Sequence, residues 1–285
     1  MKLARYWMKG KAEARSSSDQ MITVTSWGWS TLSQEEAKRR ANEAAQRAAK
    51  RIEAGEPLPR GYGYSDRPPR EEIVEEIRSA DGNLIAAVTR NSYGALILNT
   101  RDLMFIDIDI PDEPAGERFL RTIKSLFGRR ADAPESRIQK KIAALASIHS
   151  EYTVRLYRTF AGFRCAIINR RISPGSSESR QLLDEFGADP LYVKLCQNQQ
   201  SFRARLTPKY WRCGARRPPN RFPWATEAEE RRYRAWEREY EEQGRQFATC
   251  LLIEQFGTQE GNGELKMLIS LHDKLAKADS RLALA

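Results

Sequence analysis

The stretch LMFIDIDI, residues 103–110, decides the fold, because it interleaves apolar side chains with two carboxylates. Side chains two residues apart on a β-strand share a face, so Asp107 and Asp109 lie on one face and Ile106 and Ile108 on the other. Two like charges roughly 7 Å apart on a packed strand are unfavourable unless a cation lies between them. The pattern therefore predicts a strand with a divalent-metal site or, alternatively, an edge strand whose polar face meets water.

Composition limits the classes of protein to which the chain can belong. It has 285 residues, 40% hydrophobic and 30% charged, enough for one large or two small globular domains. No apolar run approaches the ~18 residues that span a bilayer, and no signal-peptide pattern begins the chain. Four scattered cysteines and two histidines argue against a structural zinc site. We expect a cytoplasmic protein with reduced thiols and no membrane partner.

Periodicity and turn signals predict an α+β fold with a mainly antiparallel sheet. An N-terminal hairpin near 4–13 and 21–27 precedes a helix from Ser33 to about 53, whose alanine-lined face predicts close packing on a sheet. A short helix over 70–78 then leads into a three-stranded meander that contains the acidic pair. A loop is expected at 54–70, helices at 115–127, 132–148, 189–199, 226–256 and 264–277, and further strands at 152–159, 163–169 and 201–206.

Three segments of this pattern are expected to converge on one face of the sheet. They are the acidic pair, a strand pair that bends at Ala161-Gly162, and the basic strand 202–209. A strand with an hhhDhD pattern, then a hairpin with small residues at its bend, then a basic strand ending in proline resembles the archaeo-eukaryotic primase (primase–polymerase) superfamily. The resemblance covers residues 84–209. It implies an RRM-like core with helices packed on one face, within a catalytic-type unit 1–225 that a helical extension 226–285 packs against.

The resemblance also implies a metal-dependent nucleotidyltransferase that acts on nucleotides and on DNA or RNA. Asp107 and Asp109 would be the catalytic residues and would bridge Mg²⁺ or Mn²⁺ ions during phosphoryl transfer. The chain departs from the family at two positions: Arg164 stands where the family has histidine, and an arginine replaces its third carboxylate. Only Asp184 and Asp189 are near in sequence as substitutes. The expected phosphate-binding residues are Arg158, Arg164, Arg203, Arg205 and Lys209, although arginine also alternates along solvated strands.

The net charge of +10 agrees with a polyanionic partner, and one segment concentrates this charge among aromatic residues. Residues 207–225 mix arginine with tyrosine and tryptophan, which suits either a groove in which bases stack or a loop held by its own aromatic side chains. The candidate nucleic-acid-binding residues are Tyr210, Trp211, Arg212, Arg216 and Arg217.

The sequence leaves two alternative functions open. A non-catalytic nucleic-acid-binding protein would keep the fold and the basic groove, and the missing histidine and third acid favour it. A metal-dependent nuclease would need more acidic ligands than the sequence offers. Neither His149 nor His272 has a serine or cysteine partner at a recognisable spacing, and no Walker or GxGxxG loop is present.

Overall fold

The computed structural model describes residues 1–57, 68–110 and 134–285, and it confirms a mixed α+β fold with antiparallel sheets. The expected helix at 115–127 and most of the loop at 54–70 lie outside these residues. The helices are α1 (Gln34–Glu53), α2 (Pro134–Ile148), α3 (Ser177–Phe186), α4 (Pro190–Gln199), α5 (Glu227–Gly244) and α6 (Gly263–Ala276). The strands are β1 (Tyr6–Arg15), β2 (Met21–Ser30), β3 (Glu72–Arg78), β4 (Leu84–Arg90), β5 (Leu96–Thr100), β6 (Met104–Asp109), β7 (Val154–Thr159), β8 (Gly162–Ile167), β9 (Phe202–Arg205), β10 (Phe247–Ala248), β11 (Cys250–Phe256) and β12 (Ala283–Leu284).

The N-terminal hairpin β1–β2 and helix α1 form the expected close-packed unit. Ser33 caps α1 by accepting a hydrogen bond from the backbone N–H of Glu36 at 3.1 Å. A Cβ atom at Gly10 would lie 2.2 Å from the carbonyl carbon of Ala41, and one at Gly28 would lie 2.2 Å from the carbonyl oxygen of Ala37. The helix backbone therefore touches the hairpin backbone, because small residues occupy both surfaces.

Two four-stranded sheets follow the hairpin, in the orders β3–β4–β5–β9 and β11–β7–β8–β6. The chain crosses between them after β5, where the Thr100 hydroxyl donates to the carbonyl of Leu103 at 2.6 Å. The expected meander of β4, β5 and β6 is therefore wrong, because β6 pairs with β8 at the edge of the second sheet. That register sets Asp107 opposite Arg164, and opposite charges across a strand pair stabilise it.

Two segments expected to be helical form strands. Residues 72–78 are β3. A bulge between Ile73 and Glu75 interrupts the strand alternation, and the four-residue spacing of Ile73 and Ile77 also fits a helix. The long helix expected to reach Phe256 ends at Gly244, and β11 then pairs with β7. The C-terminal region 226–285 is therefore helical only in part and supplies an edge strand to the second sheet. Helix α3 (Ser177–Phe186) was not predicted from the sequence.

The two sheets and the helices packed on them bury one large apolar cluster. A smaller cluster joins Cys213 and Ala215 to the α5 side chains Tyr233, Trp236 and Tyr240. Part of segment 207–225 is thus held by aromatic packing, as one of its two interpretations expected. All four cysteines are buried and free. Within the described ranges, no helix combines the length and hydrophobicity needed to cross a bilayer.

The contact between α1 and the hairpin predicts the effect of one added methyl group. We expect Gly28→Ala to lower the free energy of unfolding by about 1–3 kcal/mol, because the new Cβ overlaps the α1 backbone. Gly263→Ala is the matched control, since a Cβ there has no neighbour within 4 Å. Urea denaturation of both variants measures the difference, and equal stability of the two would contradict the packing.

Candidate functional site

The carboxylate of Asp107 is neutralised by the chain's own Arg164, in a bidentate salt bridge across β6 and β8. The Arg164 Nε donates to Asp107 Oδ1 at 2.7 Å and its Nη2 to Oδ2 at 3.2 Å. Arg164 is only 2% exposed, and its Nη1 also donates to the backbone carbonyl of Arg205 at 3.0 Å. Arg164 therefore holds two core strands to β9.

A buried histidine continues this network into helix α6. Arg164 Nη1 donates to His272 Nε2 at 3.2 Å, and His272 Nδ1 lies 2.8 Å from Asp273 Oδ1. Because an arginine can only donate, we assign the neutral tautomer with the proton on Nδ1. Burial lowers the pKa of His272, which favours this neutral form. Asp273 also accepts from the Tyr157 hydroxyl at 2.8 Å, so α6 fixes the guanidinium that holds Asp107.

Asp109, the second carboxylate of the pair, ends β6 opposite Gly162. Partial burial raises its pKa, and the nearby charges of Asp189 and Asp107 raise it further. Asp189 is committed to capping α4, since it accepts from the backbone N–H groups of Leu191 at 3.2 Å and Tyr192 at 3.1 Å. Across the described ranges, no three His, Cys, Asp or Glu side chains are grouped as a metal would require.

Arg203 and Arg205 share one face of β9, but only Arg203 is fully paired. Its Nη1 donates to Asn99 Oδ1 at 2.7 Å and to Gln199 Oε1 at 2.6 Å, and its Nη2 donates to Glu71 Oε1 at 2.6 Å. These partners account for the burial of Arg203, because a buried guanidinium is tolerated when acceptors surround it. Arg203 is therefore built into the fold.

Arg205 belongs to a group of cations that lack such partners. Its Nη1 is buried and has no hydrogen-bond partner in the described part of the chain. Burial, Arg164 and Arg212 lower the pKa of Arg205 to about 10, so it stays protonated at neutral pH. Burial also lowers the pKa of Lys209 and of Arg212. The charge of Arg205 adds to the effect on Lys209, whereas the charge of Asp109 opposes the shift at both residues. We call Arg205, Lys209 and Arg212 the cationic cluster; none of them forms a salt bridge with any described residue.

Exposed aromatic side chains surround two members of the cationic cluster. Lys209 Nζ lies 5.3 Å from the ring centroid of Trp211, and the Arg212 guanidinium lies 4.1 Å from that of Phe160. Tyr93 meets Trp211 edge to face at 5.2 Å. Phe160 is 51% exposed, Trp211 49% and Tyr93 42%. We call these three residues the aromatic rim; large aromatic side chains this exposed are available for a ligand.

A cavity of about 810 Å³ adjoins Arg205. The side chains of Arg203, Arg205 and Asp107 border it from the sheets. Its apolar lining includes Trp7 and Trp27 from the hairpin, Tyr93 from the β4–β5 turn, and Phe222. Cavities of this size and character commonly hold small molecules.

The remaining predicted site residues lie elsewhere. Arg158 pairs with Phe163 across β7 and β8, so strand alternation places it on the sheet face opposite Asp107, where it donates to Glu135 at 2.6 Å. Tyr210 is half-buried against Trp211, at 4.8 Å between ring centroids. Arg216 and Arg217 are exposed, and Arg216 borders a smaller cavity next to Trp236.

Several residues at or near the candidate site were not predicted from the sequence. The alternating Trp27 and Trp29 of β2 were a signal that one hairpin face is aromatic, and Phe160 stands at a turn where an aromatic residue is unusual. His272 carried no such signal, because its partner Arg164 lies 108 positions away. Comparison of the chain with protein-family models, curated proteins and solved structures finds no match. The resemblance to the primase–polymerase superfamily therefore stays a prediction.

The contrast between the two β9 arginines predicts opposite effects on stability. We expect Arg203→Met to lower the free energy of unfolding by about 3–5 kcal/mol, because it leaves Glu71 buried without its partner. Arg205→Met is the matched control and should be neutral or stabilising, because it removes a buried charge that no described acceptor compensates. Chemical denaturation measures both, and a larger loss for Arg205→Met would contradict this assignment.

Proposed function

We propose that this protein binds single-stranded nucleic acid through the cationic cluster and the aromatic rim, without metal-dependent catalysis. The observation that carries the proposal is the cluster itself. The charges of Arg205 and Arg212 lower the pKa of Lys209, and no described carboxylate forms a salt bridge with any of the three residues. Asp109 is close enough to counter part of this effect at Lys209 and at Arg212. A phosphate group would supply the acceptors that the fold does not, through charge-assisted hydrogen bonds.

The other arginines of the sheets show why this lack of partners supports binding. Arg164 and Arg203 are buried more completely than Arg205, and each is matched by a carboxylate and further acceptors. A fold that satisfies these neighbours and leaves the Arg205 Nη1 without an acceptor among the described residues keeps a positive charge available at that point. Such a potential attracts polyanions and makes the affinity depend on salt.

The aromatic rim favours an unpaired strand over a duplex. Bases stack on exposed aromatic faces only where they are not already paired and stacked in a helix. Phe160 and Trp211 each have a cation from the cluster within 5.3 Å of the ring centroid, so stacking and phosphate contacts are available at neighbouring points. This combination is typical of surfaces that follow a single strand.

We also propose that the core is RRM-like, and the order of its elements supports this. With α3 set aside, β6, α2, β7, β8, α4 and β9 follow in the β-α-β-β-α-β order of split βαβ folds, although β9 pairs with β5 of the other sheet. β9 lies beside β6, where the Tyr192 hydroxyl donates to the carbonyl of Phe105 at 2.7 Å and accepts from the N–H of Arg203 at 3.4 Å. RRM domains bind single-stranded RNA on a sheet of this kind.

A metal-dependent nucleotidyltransferase is the second candidate, and the electrostatic influence of Asp107 and Asp189 on Asp109 favours it. Asp107 and Asp189 both raise the pKa of Asp109, which a bound Mg²⁺ or Mn²⁺ ion would reverse. However, Asp107 is engaged by Arg164 and Asp189 by a helix N-terminus, which leaves Asp109 as the free ligand among these three. Binding without catalysis therefore fits the site better.

The binding proposal predicts a weaker salt dependence when the cluster is reduced. We expect Lys209→Met with Arg212→Met to flatten the slope of log affinity against log salt by about 1.4, because each phosphate contact to a single strand contributes about 0.7. Fluorescence anisotropy with a labelled single-stranded oligonucleotide measures the slope. Arg231→Met with Arg245→Met removes the same net charge from exposed positions and is the control. An equal slope in the two double variants would rule the cluster out.

The enzyme alternative has its own test. We expect the wild-type protein to incorporate no nucleotide into a primed template in the presence of Mn²⁺, because Asp107 already has a guanidinium partner. Primer extension, read on a denaturing gel, measures this. Manganese-dependent extension that Asp109→Asn abolishes would establish the nucleotidyltransferase instead.

A further inference from the structure

The cavity beside Arg205 has a wall that strand binding at the aromatic rim does not use. Trp7 and Trp27 of the N-terminal hairpin border it, and both precede the segment that resembles the primase–polymerase superfamily. Arg205 borders the same cavity. Aromatic side chains and the Arg205 guanidinium, whose Nη1 has no acceptor among the described residues, thus border one cavity.

The packing of α1 explains why the hairpin offers aromatic side chains on this side. Gly10 and Gly28 are required where the α1 backbone touches the hairpin. Strand alternation then puts Trp7, Trp27 and Trp29 on the other face. The Trp7 Nε1 donates to the carbonyl of Ala4 at 3.2 Å, and Lys9 and Arg70 each lie about 5 Å from the Trp27 ring centroid. These contacts hold both indoles in place.

The size of the cavity decides the kind of ligand. Its volume of about 810 Å³ lies within the range of small-molecule pockets and is far too small for a duplex. Its aromatic lining suits a planar ring system, and Arg205 supplies a charge for an anionic group. A nucleotide contains both parts, joined by a sugar.

We infer that this cavity is a mononucleotide pocket, in which Arg205 binds the phosphate and the hairpin residues Trp7 and Trp27 contact the base. The pocket holds one nucleotide of a bound strand, so for polymers the inference rests on the proposed function. The pocket also binds the free nucleotide, which makes the two claims separable. In this arrangement the hairpin selects for a base and the cationic cluster holds the backbone.

Isothermal titration calorimetry tests the pocket with three probes: AMP, adenosine and inorganic phosphate. We expect AMP to bind more tightly than either of its parts. Trp27→Leu should weaken AMP at least about fivefold through lost stacking and leave phosphate binding unchanged. Trp29→Leu is the matched control, since Trp29 lies on the same hairpin face but does not border the cavity. Trp7→Leu removes the other indole of the hairpin wall and provides a second variant in case Trp27→Leu unfolds.

The outcomes separate this inference from the proposed function. AMP binding that Trp27→Leu or Trp7→Leu weakens, and Trp29→Leu does not, supports the pocket even if oligonucleotides fail to bind. AMP binding no tighter than that of inorganic phosphate overturns the pocket and leaves strand binding at the rim standing. Equal losses in the Trp27 and Trp29 variants, with both proteins folded by circular dichroism, also overturn it.

Discussion

The salt bridge between Asp107 and Arg164 is the interaction on which the rest of the site depends. It pairs the two charged residues that face each other across β6 and β8, and it allows a full positive charge to lie in the core. Because the guanidinium also reaches the Arg205 carbonyl and His272, one side chain connects the second sheet, β9 and α6. A charge this deep is tolerated only while every partner is present, so the geometry around β6 is fixed.

The arginines around this salt bridge differ in how completely the fold pairs them. Arg164 and Arg203 are paired with carboxylate, amide and carbonyl groups of the chain, and both belong to the core. Arg205 is two residues from Arg203 on the same strand face, yet its Nη1 lacks a partner among the described residues. Identical side chains on one strand therefore have different roles, and the difference lies in what surrounds them. Arg205, Lys209 and Arg212 form no salt bridge with any described residue, and this is the basis for proposing that they bind an anion.

Local sequence signals predicted the elements whose stability is local. The Ser33 cap, the alanine face of α1, the Asp189 cap of α4 and the alternating pattern of β6 all led to elements that the structure contains. Pairing between distant strands had no such signal: β6 was assigned to the wrong sheet, and β11 was taken for the end of a helix. The same limit applies to the site. Residue type led to the prediction of a phosphate-binding strand, but Asp107 and Glu71, the carboxylates that pair with Arg164 and Arg203, lie far from them in sequence.

The hairpin extends this reasoning to the N-terminus. At Gly10 and Gly28, α1 approaches one face of β1 and β2 so closely that no side chain fits there. Strand alternation puts Trp7 and Trp27 on the other face, and both border the cavity next to Arg205. The contact with α1 thus fixes which side of the hairpin carries these tryptophans. An aromatic wall and an unpaired cation were brought to one cavity by two separate requirements of the fold, which is the physical basis for assigning it a ligand with both a planar ring and a phosphate.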